Sequence, residues 1–349
     1  MNDDMQPPED QQMSDDGQEW QNPPEEIGAV PPVYQPDPIS ELLRAVREQV
    51  ASVFFGQEAI LDDVLAGLLA GGHLLLEGKP GLGKTHLVLA LARAISGDFR
   101  RVQFTPELMP SDITGFSMFD MKSQSFRVNQ GPVFTNLFLA DEINRAPAKT
   151  QAALLEVMQE KQVTIDGKSY LLSPPFMTFA TQNPIEHEGT YPLPEAQLDR
   201  FLMKIVIDYP VPQVESRVVA AVAAGVQIDI DEVQAVCSVE DILAAQKKST
   251  EIEAVAEVVD YCVAIARATR ENRAFSLGAG TRGAIDLLRV GKAKALLAGR
   301  YFVIPDDVKS SAVSVLHHRV QLTPEMAISG QNVDHVLADV IASVPAPRV

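Results

Sequence analysis

Apolar residues follow two different spacings along the first part of the chain. In 39–51 and 57–70 they recur at helical intervals, which is typical of amphipathic helices. Five shorter runs are almost continuously apolar and indicate buried strands: 73–77, 101–104, 136–141, 176–181 and 202–207. Strands that alternate with helices predict a mostly parallel sheet with helices on both faces.

The pattern changes after residue 212. Apart from a short strand-like run at 226–230, the remaining residues show helical spacing, at 239–246, 251–270, 281–298 and 305–318. We therefore predict an α/β core over residues 39–212 and a smaller, all-helical domain over residues 213–349.

The N-terminal segment differs in composition from both predicted domains. Between Met1 and Leu43 the chain has eleven acidic residues, eight prolines and no Lys or Arg, and so it supplies −11 of the formal net charge of −18. Such a segment buries too little apolar surface to offset the entropy of ordering it. Residues 1–38 are therefore expected to be a disordered tail, either solubilising or able to dock a basic partner.

Charge and hydropathy limit the class of protein. The rest of the chain is mildly acidic, whereas nucleic acid binding needs a basic surface, so nucleic acid is not expected as the main ligand. No apolar run is long enough to span a membrane, and the N-terminus does not resemble a signal peptide. Cys237 and Cys262 lack the spacing of metal ligands. We expect a cytoplasmic protein.

A glycine-rich segment between the first apolar strand and the next helix carries the clearest chemistry. Residues 78–85 read Gly-Lys-Pro-Gly-Leu-Gly-Lys-Thr, a phosphate-binding loop in the strand–loop–helix setting that this motif requires. Backbone N–H groups and the helix N-terminus would hold phosphates, with Lys84 on the β- and γ-phosphates and the Thr85 hydroxyl on Mg²⁺. The predicted nucleotide-binding residues are Gly78, Lys79, Pro80, Gly81, Leu82, Gly83, Lys84, Thr85 and His86.

Two later strands end in polar residues that suit hydrolysis of a nucleoside triphosphate. The run 137–140 is followed by Asp141, which would complete the Mg²⁺ shell, and by Glu142, which is placed to deprotonate water. Asn183 follows the next strand and could bind the γ-phosphate or the attacking water. Arg200 is either structural or a finger offered to a neighbouring subunit.

Taken together, these segments resemble the MoxR family of AAA+ ATPases over almost the whole chain after residue 38. The most specific stretches are 139–147 (Leu-Ala-Asp-Glu-Ile-Asn-Arg-Ala-Pro), 150–160 and 181–201, the last of which ends in Leu-Asp-Arg-Phe. The resemblance implies an α/β P-loop AAA+ core, with a parallel sheet and helices on both faces, followed by a small all-helical lid.

The resemblance also implies roles that the residues alone do not supply. Asn183 matches the sensor 1 position, Arg200 matches the arginine finger that acts in trans, and Arg282 matches sensor 2. Gly56 and Gln57 match the border of the adenine pocket, which makes ATP the expected nucleotide. Thr281 would cap the lid helix and leave Arg282 in its first turn, facing the cleft between the domains. Arg145 is either a second interface cation or a locally paired residue.

Two insertions also match this branch of AAA+ proteins. The first spans 114–132, and the second spans 160–172, where Asp166 and Gly167 form a two-residue turn between apolar-alternating strands. By resemblance these loops line the central face of a ring and contact a substrate. The alternative is that they are ordinary surface hairpins.

The sequence thus predicts a ring-forming ATPase, a homo-oligomer with six subunits as the expected number and with ATP and Mg²⁺ as cofactors. ATP would lie between the core and the lid, and hydrolysis would drive chaperone-like remodelling, assembly or activation of a client protein, including metal or cofactor insertion. The resemblance implies a partner with a von Willebrand factor A domain. The alternatives are a kinase, a nucleic-acid motor and a nucleotide-switched binding module.

Overall fold

The five apolar runs form one parallel sheet in the computed structural model, which describes residues 38–183, 189–223 and 229–348. The predicted tail therefore lies outside the described residues except for Pro38, as do 184–188 and most of the run 226–230. The strands within the described ranges are β1 (Leu74–Gly78), β2 (Phe99–Gln103), β3 (Gly115–Asp120), β4 (Ser125–Gln130), β5 (Leu137–Asp141), β6 (Gln162–Ile165), β7 (Lys168–Leu171), β8 (Met177–Gln182), β9 (Met203–Ile207), β10 (Phe275–Leu277) and β11 (Gln321–Leu322).

The spatial order of the main sheet is β2–β5–β8–β1–β9, and every neighbouring pair is parallel. Because the strands are parallel, their carboxyl ends share one edge of the sheet and their amino ends share the opposite edge. Adjacent residues of one strand belong to different cores: Leu74 and Leu76 pack on one face, and Leu75 packs on the other. Burial on both faces explains the nearly continuous apolar runs.

Helices supply the layers on both faces. The helices are α1 (Pro38–Ala51), α2 (Glu58–Leu69), α3 (Lys84–Ala94), α4 (Pro110–Thr114), α5 (Ala148–Glu160), α6 (Glu195–Leu198), α7 (Pro212–Ala223), α8 (Val239–Glu251), α9 (Ala256–Glu271), α10 (Thr281–Leu297), α11 (Pro305–Leu316), α12 (Pro324–Ile328) and α13 (Val333–Ser343). Among these described helices, none is both long and apolar enough to cross a membrane. The predicted α/β fold class with a following helical lid is confirmed.

Lid helices and core helices share one hydrophobic cluster. Leu287 and Val290 of α10 belong to the same buried group as Leu65 of α2 and Leu87 of α3. A half-buried ion pair joins the same two layers, since Lys294 Nζ lies 2.8 Å from Asp63 Oδ1. The boundary predicted at residues 212 and 213 falls at the start of α7.

Both predicted insertions are antiparallel hairpins. The strands β3 and β4 form the first, within the predicted span 114–132. The strands β6 and β7 form the second, and its turn residues Asp166 and Gly167 have φ values of 50° and 74°. Two consecutive positive φ values are what a two-residue hairpin turn requires, and Asp-Gly tolerates them. The hairpin prediction for 160–172 is confirmed.

Only the end of the strand-like run 226–230 is described. Asp229 is extended, with φ −100° and ψ 122°, and its carboxylate caps a 3₁₀ turn that begins at Ile230. A carboxylate that accepts a backbone N–H two residues later favours such a turn over a strand. Residues 226–228 lie outside the described ranges. Cys237 and Cys262 are both buried, and burial raises the pKa of each thiol to about 12.

The buried imidazole of His73 ties three elements together below β1. Its Nε2 lies 2.9 Å from the carbonyl oxygen of Met158 in α5, and the backbone N–H of Thr178 in β8 donates to its Nδ1 at 2.9 Å. The ring is therefore neutral, with its proton on Nε2. Burial lowers the pKa of His73 to about 4. An imidazolium at this position would lose the bond from Thr178.

This geometry predicts a pH-dependent part of the stability. The folded pKa of about 4 lies below the ordinary value of 6.5, so unfolded chains bind more protons between these two pH values. The free energy of unfolding should fall as pH drops from 6.5 to 4, by up to about 3 kcal/mol from this group. Urea unfolding measures the free energy of unfolding of wild type and of His73→Asn. The difference between the two proteins should narrow as pH falls from 6.5 to 4. A constant gap from pH 7 to pH 4 would contradict the assignment.

Candidate active site

The phosphate-binding loop connects the carboxyl end of β1 to the first turn of α3. Gly81 and Gly83 have φ values of 83° and 80°, a region that L side chains rarely adopt. Gly83 immediately precedes Lys84, the first residue of α3. The backbone N–H groups of the loop and of the helix N-terminus can therefore bind phosphate together. The predicted strand–loop–helix setting is present.

Lys84 lies inside this loop. Its Nζ donates to the carbonyl oxygen of Lys79 at 3.0 Å and to that of Gly78. Burial lowers the pKa of Lys84, while the nearby carboxylates of Asp141, Glu142 and Glu77 act in the opposite direction. A half-buried ammonium group that is held by neutral carbonyls favours an anionic ligand, because phosphate oxygens satisfy the charge better.

Asp141 ends β5 and is held from two sides. The Thr181 hydroxyl donates to its Oδ1 at 2.6 Å, and Arg101 donates to its Oδ2 at 2.6 Å. Asp141 and Thr85 line one cavity of about 450 Å³, together with Lys84, Glu142 and Asn183. A carboxylate and a hydroxyl are hard oxygen ligands, so this donor set fits Mg²⁺. Arg101 donates to one of the two carboxylate oxygens of Asp141, so it competes with a metal ion for that oxygen.

Glu142 has an unusual backbone for a side chain of its size. Its φ and ψ are 56° and 52°, and its N–H donates to the Thr181 hydroxyl at 2.8 Å. Left-handed backbone at a non-glycine residue costs free energy and is concentrated at functional sites. The conformation turns the Glu142 carboxylate toward Gln103 and Arg145, which donate to its Oε2 at 2.7 Å and 2.8 Å.

Arg145 forms a local ion pair in this structure. Its guanidinium is paired with Glu142 of the same chain, three residues earlier, which places Arg145 beside the predicted catalytic base. A role for Arg145 at a subunit interface stays a prediction.

Gly56 and Gln57, the predicted border of the adenine pocket, pack against the segment 208–214. A Cβ at Gly56 would lie 2.5 Å from Val214 Cγ2, so the backbone there packs directly against α7. The Gln57 Nε2 donates to the carbonyl oxygen of Asp208 at 3.2 Å. Beside them, Lys79 Nζ lies 4.5 Å from the ring centre of Tyr209. The two predicted residues therefore lie near the phosphate loop, as an adenine pocket requires.

Arg200 and Arg282 lie at the opposite edge of the sheet. Both line a second cavity of about 190 Å³ beside His73, which precedes β1, whereas the phosphate loop follows β1. β1 has five residues, so roughly 15 Å of strand separates the two cavities. Arg200 also donates to the carbonyl oxygen of Leu155 in α5 at 2.9 Å.

The expectations for Arg282 need two corrections. Gly280, not Thr281, is the N-cap of α10, without a side-chain cap, because Thr281 is already the first helical residue. Arg282 remains in the first turn and does face a space between core and lid. However, that space is at the amino end of β1, so Arg282 does not close over the phosphate loop of its own chain.

Three residues around the carboxylates were missed from the sequence: Arg101, Gln103 and Thr181. Arg101 and Gln103 lie on β2, whose register pairs Gln103 with Asp141. The polar positions of this strand were visible in the sequence, but the pairing of β2 with β5 was not. Thr181 was part of a predicted strand. Its contacts with the Asp141 carboxylate and the Glu142 backbone N–H depend on β8 lying next to β5.

Comparison with known proteins supports the same fold. Residues 73–203 match the model of the ATPase family associated with various cellular activities (AAA), and residues 267–340 match the AAA lid domain. The chain is also similar to a solved structure described as a putative ATPase from Cytophaga hutchinsonii. The TM-score is 0.81 and the identity 39%, covering 89% of this chain and 96% of that one.

Three relatives match over most of their lengths. The protein YeaC of Bacillus subtilis, of uncharacterised function, is 43% identical over 90% of this chain and 97% of its own. The chaperone MoxR1 of Mycobacterium tuberculosis is 40% identical over 89% of this chain and 84% of its own. The protein MoxR of Methylorubrum extorquens is 31% identical over 86% of this chain and 93% of its own.

The Thr181 hydroxyl gives a matched pair of substitutions on one strand. Thr181→Val removes the bonds to the Asp141 carboxylate and to the Glu142 backbone N–H. The turnover number should fall roughly tenfold or more, because the Asp141 carboxylate and the backbone that carries Glu142 lose their orientation. Thr178→Val is the control, since the buried Thr178 hydroxyl lacks a partner among the described residues. That change should leave turnover near wild type. Steady-state phosphate release tests the pair, and equal activity of the two variants would contradict the role of Thr181.

Proposed function

The chain belongs to the MoxR family of AAA+ ATPases, and from this premise we propose that it forms a ring in which each subunit completes the nucleotide site of its neighbour. The family establishes the general role, that of a chaperone-like AAA+ ATPase. The ring, its six subunits and its client belong to the proposal.

The observation that carries the proposal is the separation of the two cavities. Lys84, Asp141 and Glu142 lie at the carboxyl edge of the sheet, while Arg200 and Arg282 lie at the amino edge. An arginine acts on a phosphate only within hydrogen-bond distance, and a strand about 15 Å long stands between them. Two copies that pack amino edge against carboxyl edge would bring the sets together. A head-to-tail contact of this kind closes into a ring when its rotation permits.

Within one subunit, the loop and its neighbours bind and orient ATP. Backbone N–H groups of the loop and the Lys84 ammonium hold the phosphates, and Thr85 and Asp141 would hold Mg²⁺. The metal supplies positive charge to the β- and γ-phosphate oxygens when it is bound. Asn183 lies in the same cavity, 8% exposed, where its amide can orient the γ-phosphate or the attacking water.

Glu142 would take the proton from the attacking water. In this structure its carboxylate accepts bonds from Gln103 and Arg145, which fix its position. Because both bonds are to Oε2, the other carboxylate oxygen, Oε1, can accept the proton while Gln103 and Arg145 stay in place. The Arg200 and Arg282 of a neighbour would then balance the negative charge that develops on the transferring phosphoryl group.

The client surface that we propose is the hairpin of β3 and β4. Its Phe119 and Phe126 rings pack edge to face, with centroids 5.4 Å apart, yet both side chains remain exposed. Exposed large apolar residues that cluster on a protruding element mark binding surfaces, and methionine adapts to varied partners. The exposed members are Phe116, Met118, Phe119, Met121 and Phe126. The hairpin of β6 and β7 exposes Leu171 and mostly polar residues.

The aromatic and sulfur-containing side chains of the β3–β4 hairpin favour a protein client over a nucleic-acid backbone, which needs a basic surface. Activation of a partner by metal or cofactor insertion, a partner with a von Willebrand factor A domain, and the cytoplasmic location all stay predictions from the sequence.

Concentration dependence of ATP hydrolysis tests the shared site. Phosphate release per subunit should rise with protein concentration for the wild type, because assembly completes the sites. Glu142→Gln and Arg200→Ala should each lower turnover by about a thousandfold, through loss of the base and of the trans cation. Arg267→Ala, which removes an exposed cation paired with Glu271 in α9, should match the wild type.

A flat dependence on concentration, with Arg200→Ala as active as Arg267→Ala, would contradict the ring. Phosphate release that requires an added acceptor would instead favour a kinase. Hydrolysis stimulated by DNA or RNA in a salt-sensitive manner would favour a nucleic-acid motor.

The client surface is tested by suppression of aggregation of reduced, unfolding lysozyme. The double variant Phe119→Ser, Phe126→Ser should lose most of this protection, because it removes the exposed aromatic pair. Leu171→Ser, on the other hairpin, should retain it. Phosphate release is measured in parallel to separate loss of the client surface from loss of assembly. Equal protection by both variants would contradict the assignment of the β3–β4 hairpin.

A further inference from the structure

Arg319 is a buried arginine of the lid. It bonds to residues that flank or follow Arg200 and Arg282, the two arginines that we place at the subunit interface. It ends the short 3₁₀ turn His317–Arg319 after α11, and its side chain is 1% exposed. Buried arginine is rare unless every charge and donor is matched. All three of its guanidinium nitrogens donate hydrogen bonds.

The first group of bonds holds the chain segment that carries Arg200. Arg319 Nε donates to Asp199 Oδ1 at 2.9 Å, and Nη2 donates to the carbonyl oxygen of Phe201 at 2.8 Å. His318 strengthens the same contact, because its Nε2 lies 2.9 Å from that carbonyl oxygen. Burial and the Arg319 charge lower the pKa of His318, which keeps its ring neutral. The lid therefore holds the residues on both sides of Arg200.

The second group of bonds holds the helical turn that carries Arg282. Arg319 Nη2 lies 2.6 Å from Oδ2 of Asp286, which is one turn after Arg282 on α10 and 4% exposed at its side chain. The other oxygen, Oδ1, accepts from Arg289 at 2.9 Å. A Cβ at Gly283 would lie 3.7 Å from Arg319 Cδ, so the first turn of α10 packs against this side chain.

One buried cation thus joins two segments that are more than eighty residues apart in the sequence. Such a group is an inefficient way to stabilise a fold, because desolvation offsets much of the attraction, but its geometry is specific. A lysine provides one charge centre in place of the planar fork and cannot reproduce the bonds that the three guanidinium nitrogens make.

We propose that Arg319 is a positioning residue for ATP hydrolysis in the neighbouring subunit, holding Arg200 and Arg282 at a fixed separation so that both reach the same phosphate. The inference rests on the proposed action of these arginines in trans. The Arg319 side chain is buried among its protein partners, so it would act through the two arginines. Substitution of Arg319 should therefore displace Arg200 and Arg282, which act on the neighbouring subunit's site. It should leave the phosphate loop of its own subunit intact.

Arg319→Lys is the primary variant, and Asp286→Asn breaks the same link from its other end. Each should bind a fluorescent ADP analogue with about wild-type affinity and lose turnover by roughly a hundredfold, the effect of displacing a catalytic group by about 1 Å. Arg300→Lys is the matched control, because Arg300 forms a half-buried ion pair with Asp307 of the lid. This control should retain wild-type turnover.

Mixed assemblies separate positioning from a purely structural role. Arg319→Lys subunits are mixed with Glu142→Gln subunits, which lack the base but carry unaltered arginines. If Arg319 acts on the neighbour's site, the nucleotide pocket of an Arg319→Lys subunit is completed by the arginines of an adjacent Glu142→Gln subunit. Phosphate release then recovers in the mixture, although each variant alone is nearly inactive. Absence of recovery would overturn the inference, since Arg319 would then be needed within its own subunit.

A reference mixture keeps the two hypotheses distinguishable. Arg200→Ala mixed with Glu142→Gln should also recover activity. If this reference fails, the proposed trans site is wrong. If it recovers and the Arg319→Lys mixture does not, only the positioning role is wrong. Should Arg319→Lys fail to bind the ADP analogue, Asp286→Asn is used in the same mixture and is judged by the same outcomes.

Discussion

The parallel sheet is the constraint on which the rest of this structure depends. Its carboxyl edge gathers the phosphate loop after β1, the carboxylates after β5 and Asn183 after β8. Its amino edge gathers His73, Arg200 and, through the packing of the lid, Arg282. Groups at opposite edges of a rigid sheet cannot meet within one chain. The chemistry of hydrolysis is therefore divided between two faces of the subunit, and assembly is what would reunite it.

The residues that the sequence predicted correctly are those whose placement is local. The phosphate loop, the carboxylates at the end of β5 and the Asp166–Gly167 turn are each specified by a few consecutive residues. Arg101 and Gln103 escaped prediction because they reach Asp141 and Glu142 only through the register of β2 on β5. The direction faced by Arg282 escaped for a similar reason, since long-range packing of α10 sets it. Local periodicity contains no information on either.

The contacts around Arg200 also suggest how nucleotide chemistry could reach the hairpins. Arg200 donates to the carbonyl oxygen of Leu155 in α5, and this helix leads through Lys161 directly into β6. On its other side, the segment of Arg200 is bound to the lid by His318 and Arg319. A phosphate that attracts Arg200 would thus pull on a helix, a hairpin and the lid together. This continuity is the physical basis on which we connect hydrolysis with work on a client.

Completion of the site in trans would be visible in the structure of Glu142→Gln bound to ATP and Mg²⁺. We expect an oligomer in which guanidinium groups of Arg200 and Arg282 from one subunit lie within about 3 Å of γ-phosphate oxygens in the next. A structure in which Arg282 reaches the phosphates of its own chain, or in which ATP is enclosed by a single subunit, would show that the site is not shared.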